Sequence, residues 1–282
     1  IDYIFQEKQP VYAYNGKTKI GTFYIDESTR VSKNVYNVSC IVALGILDED
    51  PFAAAIYTNT NAKTVLESIL GGHFDLELSE DLQSEKLTGY IADCTRREAL
   101  QQVAFALRAV VDTSGSGNVK VWRLSETDPA EIPLNRLYTG GDVSTSAIVT
   151  EVRVTAHTYS TSGSGSDTVE VGGKTYHHTT AVTTKSNPNV TASTKPNVIE
   201  VKDATLVNAS NVAAVTQHVF DYYMRRQTHG VKIVMDKEMP GDYVTTTTPW
   251  EDQITGTITS MTIKLSGIAA ADCEIVGTGA SA

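Results

Sequence analysis

The feature that most constrains this chain is Thr95-Arg96-Arg97-Glu98 and the apolar stripe that follows it. In such a capping box the Thr hydroxyl accepts one free backbone N–H of a helix start. The Glu carboxylate reaches back to a second, so the helix has a defined first residue. Leu100, Val103, Ala104, Leu107, Val110 and Val111 recur at i, i+3, i+4, i+7 spacing, which predicts a helix over 95–111 with one face on a sheet. Residues 112–117 (DTSGSG) form a turn, and VKVWRL at 119–124 alternates as a returning strand. The unit is helix, turn, strand, and the chain is therefore neither all-helical nor all-β.

Most of the remaining sequence reads as β. Two aromatic and aliphatic runs between Val11 and Ile25 meet at Asn15-Gly16, the pair that supplies the positive φ angles of a tight hairpin turn. The run VYNVSCIVALGIL, 35–47, predicts one buried strand, stopped by Asp48-Glu49-Asp50-Pro51. Residues 61–70 place Ala62, Val65, Leu66 and Ile69 at helical spacing and end on Gly71-Gly72. From Phe74 to Ile91 apolar and acidic residues alternate as half-exposed strands, and 128–141 reads as a crossing segment. Residues 147–159 alternate as a strand, and Gly172-Gly173 turns another hairpin.

The Thr-rich stretch 179–197, with Pro188 and Pro196, predicts an exposed loop or ribbon edge. Ser210 is positioned to cap a third helix with Val212, Val215, Val219, Tyr222 and Tyr223 on its face, closed by Gly230. Beyond it lie more strands, with a turn at Pro240-Gly241-Asp242. One long strand changes apolar phase between Ile258 and Met261, which predicts a bulge.

With 282 residues, two or three domains are expected; the boundaries fall at 1–48, 49–137 and 138–282. No apolar run approaches the ~18 residues of a membrane span. The opening residues Ile1-Asp2-Tyr3-Ile4-Phe5 show neither an initiator Met nor a signal peptide, as in a piece cut from a longer polypeptide. The formal net charge of −10 opposes an electrostatic grip on nucleic acid or anionic lipid. Cys40, Cys94 and Cys273 are odd in number and far apart, which fits buried free thiols.

No catalytic, cofactor-binding or metal-binding residue is assigned. Gly16-Lys17-Thr18 and Gly173-Lys174-Thr175 end like phosphate loops, yet Val11 and Thr168 stand where the motif needs its first Gly. The Gly-Ser-Gly segments at 115–117 and 163–165 lack a nucleotide-binding context. His177-His178 is the one His pair, and strand neighbours point to opposite faces, against a shared metal. The acidic run 75–85 alternates with Leu76, Leu78 and Leu82 as a solvated strand face. Tyr222, Tyr223, Arg225 and Arg226 read as helix core with a basic cap, or else as an interface anchor. Acceptor patterns at Asn37, Asn189 and Asn208 are read as chance matches.

Four segments carry a resemblance: GTFYIDESTR, NVYNVSCIVALGILD, CTRREALQQVAFALRAVVDTSGSGNVKVW and MPGDYVTTTTPWEDQITGTITSMTIKLSGIAAADCEIVG. They resemble, in order and over most of the chain, tail-tip or baseplate-hub proteins of tailed bacteriophages and prophages. The resemblance implies an α+β, β-rich fold. In it, 1–48 completes a partial β-barrel whose N-terminal part is missing, 49–137 is an inserted α/β domain, and 138–282 is a second barrel-like domain. A Thr-rich insertion at about 163–197 fits the pattern least.

It further implies a structural, non-enzymatic virion component of the tail, present in bacterial cytoplasm when expressed from a prophage. Such a protein assembles as a homotrimeric ring and contacts the distal tail or tube, tape-measure and tip or fibre proteins. Neither a cofactor, a membrane nor specific nucleic-acid binding is implied. Two other readings remain: a surface β-rich glycan-binding module using Trp122 or Trp250, and a hydrolase with an unrecognised site.

Overall fold

The N-terminal hairpin joins β1 (Pro10–Asn15) to β2 (Thr18–Ser32), with Asn15 opposite Thr18. Its loop is therefore Gly16-Lys17, one residue later than the sequence signal suggests. Asn15 stays in the strand, and only Gly16 takes a positive φ, 60°. A two-residue loop whose first position is left-handed favours glycine, which has no Cβ to clash. The computed structural model describes residues 9–115, 117–165, 167–265 and 267–279, so the opening residues 1–8 lie outside it.

The apolar run 35–47 divides in two. Its first half is β3 (Val35–Ile41), exposed as far as Ser39, and its second half is α1 (Ala43–Glu49), which buries Ala43, Ile46 and Leu47. A continuous apolar run carries no period of its own, so the single buried strand expected there was one of two solutions. The helix takes the other: three, then one residue apart, its buried positions share a face.

There follow β4 (Pro51–Phe52), β5 (Ala55–Asn61), α2 (Ala62–Leu70), β6 (Leu76–Leu78), β7 (Lys86–Ile91), β8 (Cys94–Thr95), α3 (Arg96–Leu107), β9 (Val110–Asp112) and β10 (Val119–Trp122). Helix α2 is capped by Asn61, whose Oδ1 accepts from Lys63 N at 2.9 Å, and ends at left-handed Gly71. The capping box at Thr95 forms in full: Thr95 N donates to Glu98 Oε2 at 2.9 Å, and Glu98 N to Thr95 Oγ1 at 3.2 Å.

The helix ends four residues earlier than its stripe predicted. Arg108 turns left-handed (φ 57°), and its N–H satisfies the carbonyls of Ala104 and Phe105. Val110 and Val111 then pair with Trp122 and Val121. Both valines are β-branched and suit a strand, so the period of the stripe ran on by coincidence.

Next come β11 (Ala130–Glu131), β12 (Asp142–Thr145), β13 (Glu151–Ser160), β14 (Asp167–Val171), β15 (Lys174–Ser186), β16 (Val198–Val201), α4 (Val212–Met224), β17 (Gln227–Val234), β18 (Tyr243–Thr247), β19 (Gln253–Lys264) and β20 (Ala270–Gly279). The Gly172-Gly173 hairpin forms as read, Val171 facing Lys174. Of the two readings of the Thr-rich stretch, loop or ribbon edge, its first part is the second: residues 179–186 are the mostly exposed end of strand β15, which neighbours β13, while β14 pairs with the other end, Lys174–His178. At the start of α4 the Ser210 hydroxyl donates to Asn208 Oδ1 at 2.6 Å, and Val212 N donates to Asn208 O at 3.0 Å. Gly230 lies inside β17 rather than closing the helix.

Two units result. One comprises Ile1–Arg123, Val154–Thr183 and Lys202–Val215, the other Leu124–Arg153, Thr184–Val201 and Thr216–Ala282; the boundary falls within β13, β15 and α4. The core of the first is built on α2 and α3, where Val65, Leu66, Ile69, Leu100 and Val103 pack with Leu82, Leu87, Ile91, Val119 and Val121. Its sheets are β1-β2-β3 and β6-β10-β9, with the short pairs β4-β8 and β5-β7.

The second unit holds a six-stranded sheet in the order β11-β18-β19-β20-β17-β12. Its long strand β19 slips register against β20 between Ile258 and Ser260, the bulge predicted from its change of phase. Four residues along the same ladder from Ser260, Gly256 faces Gly277, and a Cβ on Gly277 would stand 2.0 Å from Thr255 O. The two backbones approach there as only glycine permits. The whole is an α+β, β-rich fold with four helices among the described residues.

Candidate functional site

Exposed surfaces stand out in each unit. In the first unit the described part of β1 pairs with β2 from Asn15 opposite Thr18 to Pro10 opposite Tyr24, Ile25 N donates to Gln9 O at 3.1 Å, and β3 pairs with β2 to Ser32 opposite Val35. Among the described residues, the sheet beyond Asp26 has the two strands β2 and β3. Every residue of β2 from Asp26 and of β3 up to Ser39 is exposed, among them Val31 (57%), Val35 (52%), Tyr36 (41%) and Val38 (42%). The Arg30 guanidinium lies over the Tyr36 ring at 5.8 Å and donates to the carbonyls of Ser32 and Lys33, which holds the tip. A two-stranded ribbon with apolar side chains and open edges is marginal alone in water and is suited to association.

In the second unit Trp250 is 65% exposed on the turn between β18 and β19. Thr248 N donates to Asp252 O (2.8 Å), Glu251 N donates to Thr248 O (3.1 Å), and Glu251 is left-handed at φ 71°. At the opposite end of β19, the β19–β20 turn exposes Leu265 and Ile268. Of the aromatic pair on α4, Tyr222 is exposed and packs edge-on to Tyr223 at 5.2 Å. The helix instead buries Val212, Val215, Val219 and Phe220. Arg225 pairs with Glu126, and Arg226 Nε donates to Ser146 O at 2.9 Å, so both arginines are engaged within their own unit.

The residues weighed for chemistry separate. His177 lies opposite Thr168 on β14, whereas the His178 ring meets His157 Nδ1 at 2.9 Å. Sequence periodicity gave His157 no signal, because it sits among alternating strand residues like any other. Trp122 is partly covered, with the Lys120 ammonium 5.0 Å from its ring. In the acidic run, Asp81 and Glu85 receive the Arg123 guanidinium at 3.1 and 2.6 Å. Hydrogen bonding from Ser79, with Arg123 beside it, holds the Asp81 carboxyl below its ordinary range against some burial. Both Gly-Lys-Thr segments are hairpin turns. Cys40, Cys94 and Cys273 are free, Cys273 being buried and its thiol pushed up to about 11 by burial and then by Glu238 and Asp272.

Glu238 is the most enclosed carboxylate of the second unit. Burial pushes its carboxyl up, but hydrogen bonds from Arg136 Nη2 (2.6 Å) and Asp236 N (2.9 Å) outweigh it and hold it below its ordinary range. This is a positioning pair: the same guanidinium also donates to Val234 O, tying the segment after β11 to the end of β17. Among the described residues, no three His, Cys, Asp or Glu side chains gather to hold a metal ion. No helix among them is long and apolar enough to cross a membrane.

Neither a protein-family profile nor a curated protein sequence matches this chain. Solved structures do. The 43 kDa tail protein of prophage MuSo2 from Shewanella oneidensis aligns with a TM-score of 0.64 at 12% identity, covering 96% of this chain and 84% of that one. The fold is that of phage tail proteins. A tail protein from Neisseria meningitidis gives 0.65 at 11% identity over 92% of this chain and 80% of its own. A prophage tail protein from Listeria monocytogenes gives 0.57 at 12% identity, covering 97% and 83%. At such identities the likeness is one of architecture, and it extends over nearly the whole chain.

Proposed function

We propose that this chain is a structural component of a phage or prophage tail and acts at the tail tip as a baseplate hub. The observation that carries the reading is the architecture shared with prophage tail proteins over more than nine-tenths of the chain. In this reading three copies form a ring that joins the tail tube to the tip and leaves a central channel. The protein resides in the virion tail and catalyses nothing. Residues 1–48 belong to a first barrel, 49–137 to an insert and 138–282 to a second barrel. The exposed β2–β3 ribbon is suited to the ring, since a second copy would cover apolar side chains that water now touches. The net charge of −10 fits a channel through which DNA slides, because like charge suppresses phosphate contacts.

Light scattering on the protein tests the ring. A mass near three times that of the chain supports it, and a monomer at high concentration overturns it. Val38→Ser with Val35→Ser should weaken the trimer without unfolding the chain. A second reading, a glycan-binding module, draws on the exposure of Trp250. Trp250→Ala would then abolish binding on an oligosaccharide array, whereas the hub reading expects no binding by either form.

A further inference from the structure

We infer that His157 and His178 form an acid-released clasp that docks the β14–β15 hairpin on β13. The two rings are nearly coplanar, with centroids 5.2 Å apart, an interplanar angle of 6° and His157 Nδ1 2.9 Å from His178 Nε2. The other nitrogen of His157, Nε2, lies 2.9 Å from the carbonyl oxygen of Lys202. A carbonyl only accepts, so His157 Nε2 carries the hydrogen. Neutral His157 then offers a lone pair at Nδ1, and His178 must donate through Nε2–H. Both tautomers follow from the network alone.

This arrangement limits how many protons the pair can hold. A proton added at His178 Nδ1 leaves the N–H···N bond in place and makes it charge-assisted. A proton added at His157 Nδ1 puts two N–H groups against each other, and with His178 also charged it sets like charges side by side. The clasp therefore survives the neutral and singly protonated states and fails in the doubly protonated one. Its surroundings sharpen the response. His157 is 5% exposed, and Tyr159, two residues along β13, stacks on His178 with centroids 4.7 Å apart. Tyr90 of β7 packs tilted against Tyr159, with centroids 5.5 Å apart and an interplanar angle of 52°.

The titratable groups facing His157 are thus His178 of β15, Tyr159 of β13, Tyr90 of β7 behind it, and Asp203 of the segment that also supplies the Lys202 carbonyl. Burial foremost, with the His178 charge, lowers the affinity of His157 for a proton; the Lys202 hydrogen bond and Asp203 oppose this without reversing it. Because the docked state disfavours a proton on His157, the stability this ring contributes to docking is fully present above the ordinary histidine value of 6.5 and is lost as that proton goes on below it.

Nitrogen-resolved imidazole NMR and site-resolved hydrogen exchange on the full chain test the clasp together. At pH 7.5 both neutral rings should show the Nε2–H tautomer. Between pH 7.5 and 4.5, after correction for intrinsic rates, amides of 167–183 should exchange severalfold faster. Amides of α3 should not follow. In His178→Gln the side-chain amide can donate to, or turn and accept from, His157 in either protonation state, so the acceleration should disappear. An Nδ1–H tautomer on neutral His157, equal acceleration in α3, or undiminished acceleration in His178→Gln would each overturn the inference.

Discussion

The core around α2 and α3 and the buried face of the six-stranded sheet are enclosed to a similar degree with different materials. In the first, Leu66, Ile69, Leu100 and Val103 have no exposed surface and touch other aliphatic side chains. In the second, Val231, Ile233 and Ile275 share one sheet face with His229 and Thr246, and Thr257 is buried on the other face, opposite Tyr243 and Val276. Both ring nitrogens of His229 and the hydroxyls of Thr246 and Thr257 lack a hydrogen-bond partner among the described residues. The dry core is governed by volume, since removed methyl groups leave a cavity. The sheet is governed by solvation, since each enclosed polar atom has given up water.

The largest test removes volume where the core is driest. Leu100→Ala should cost about 2–5 kcal/mol in urea unfolding, and a loss under about 1 kcal/mol would show the core to be less tightly filled than its burial indicates. The next acts on the sheet through protons. Burial lowers the proton affinity of His229, with Asp142 opposing it, so His229 contributes stability above the ordinary value of 6.5 that is lost as pH falls below it. Each pKa unit of depression corresponds to about 1.4 kcal/mol. Thermal unfolding from pH 7.5 to 5 should show falling stability, with a shallower slope in His229→Leu; an unchanged slope would assign the loss elsewhere.

Two smaller effects separate backbone from side chain. Thr95→Ala deletes half of the capping box and should cost about 1 kcal/mol, read by urea unfolding. Thr257→Val replaces an unpartnered buried hydroxyl with a methyl of the same shape and should lie within about 1 kcal/mol of neutral, on the stabilising side. A clear loss on Thr257→Val would reveal a partner for that hydroxyl and narrow the contrast between the regions.

What could be read in advance was local. The start of α3, both ends of α2, the two hairpins and the bulge in β19 each follow from a few consecutive residues whose backbone needs are met by their own side chains or by glycine. What was misread depended on distant partners. The valines that seemed to extend α3 became β9 because Val121 and Trp122 return beside them. Which of loop and ribbon edge the Thr-rich stretch would be was likewise left to a distant partner, since the 179–186 part of β15 is strand beside β13.

The helix start at Thr95 thus came from the sequence by itself, as did the β-rich character of the chain, because capping and alternation act over a few residues. Where that helix stops, which histidine His178 meets, and which side chains remain uncovered on β2–β3 were decided by tertiary structure. Pairing between strands joins residues that no short-range pattern connects, and the loss of solvent that gives such pairs their energy exists only once the layers have closed.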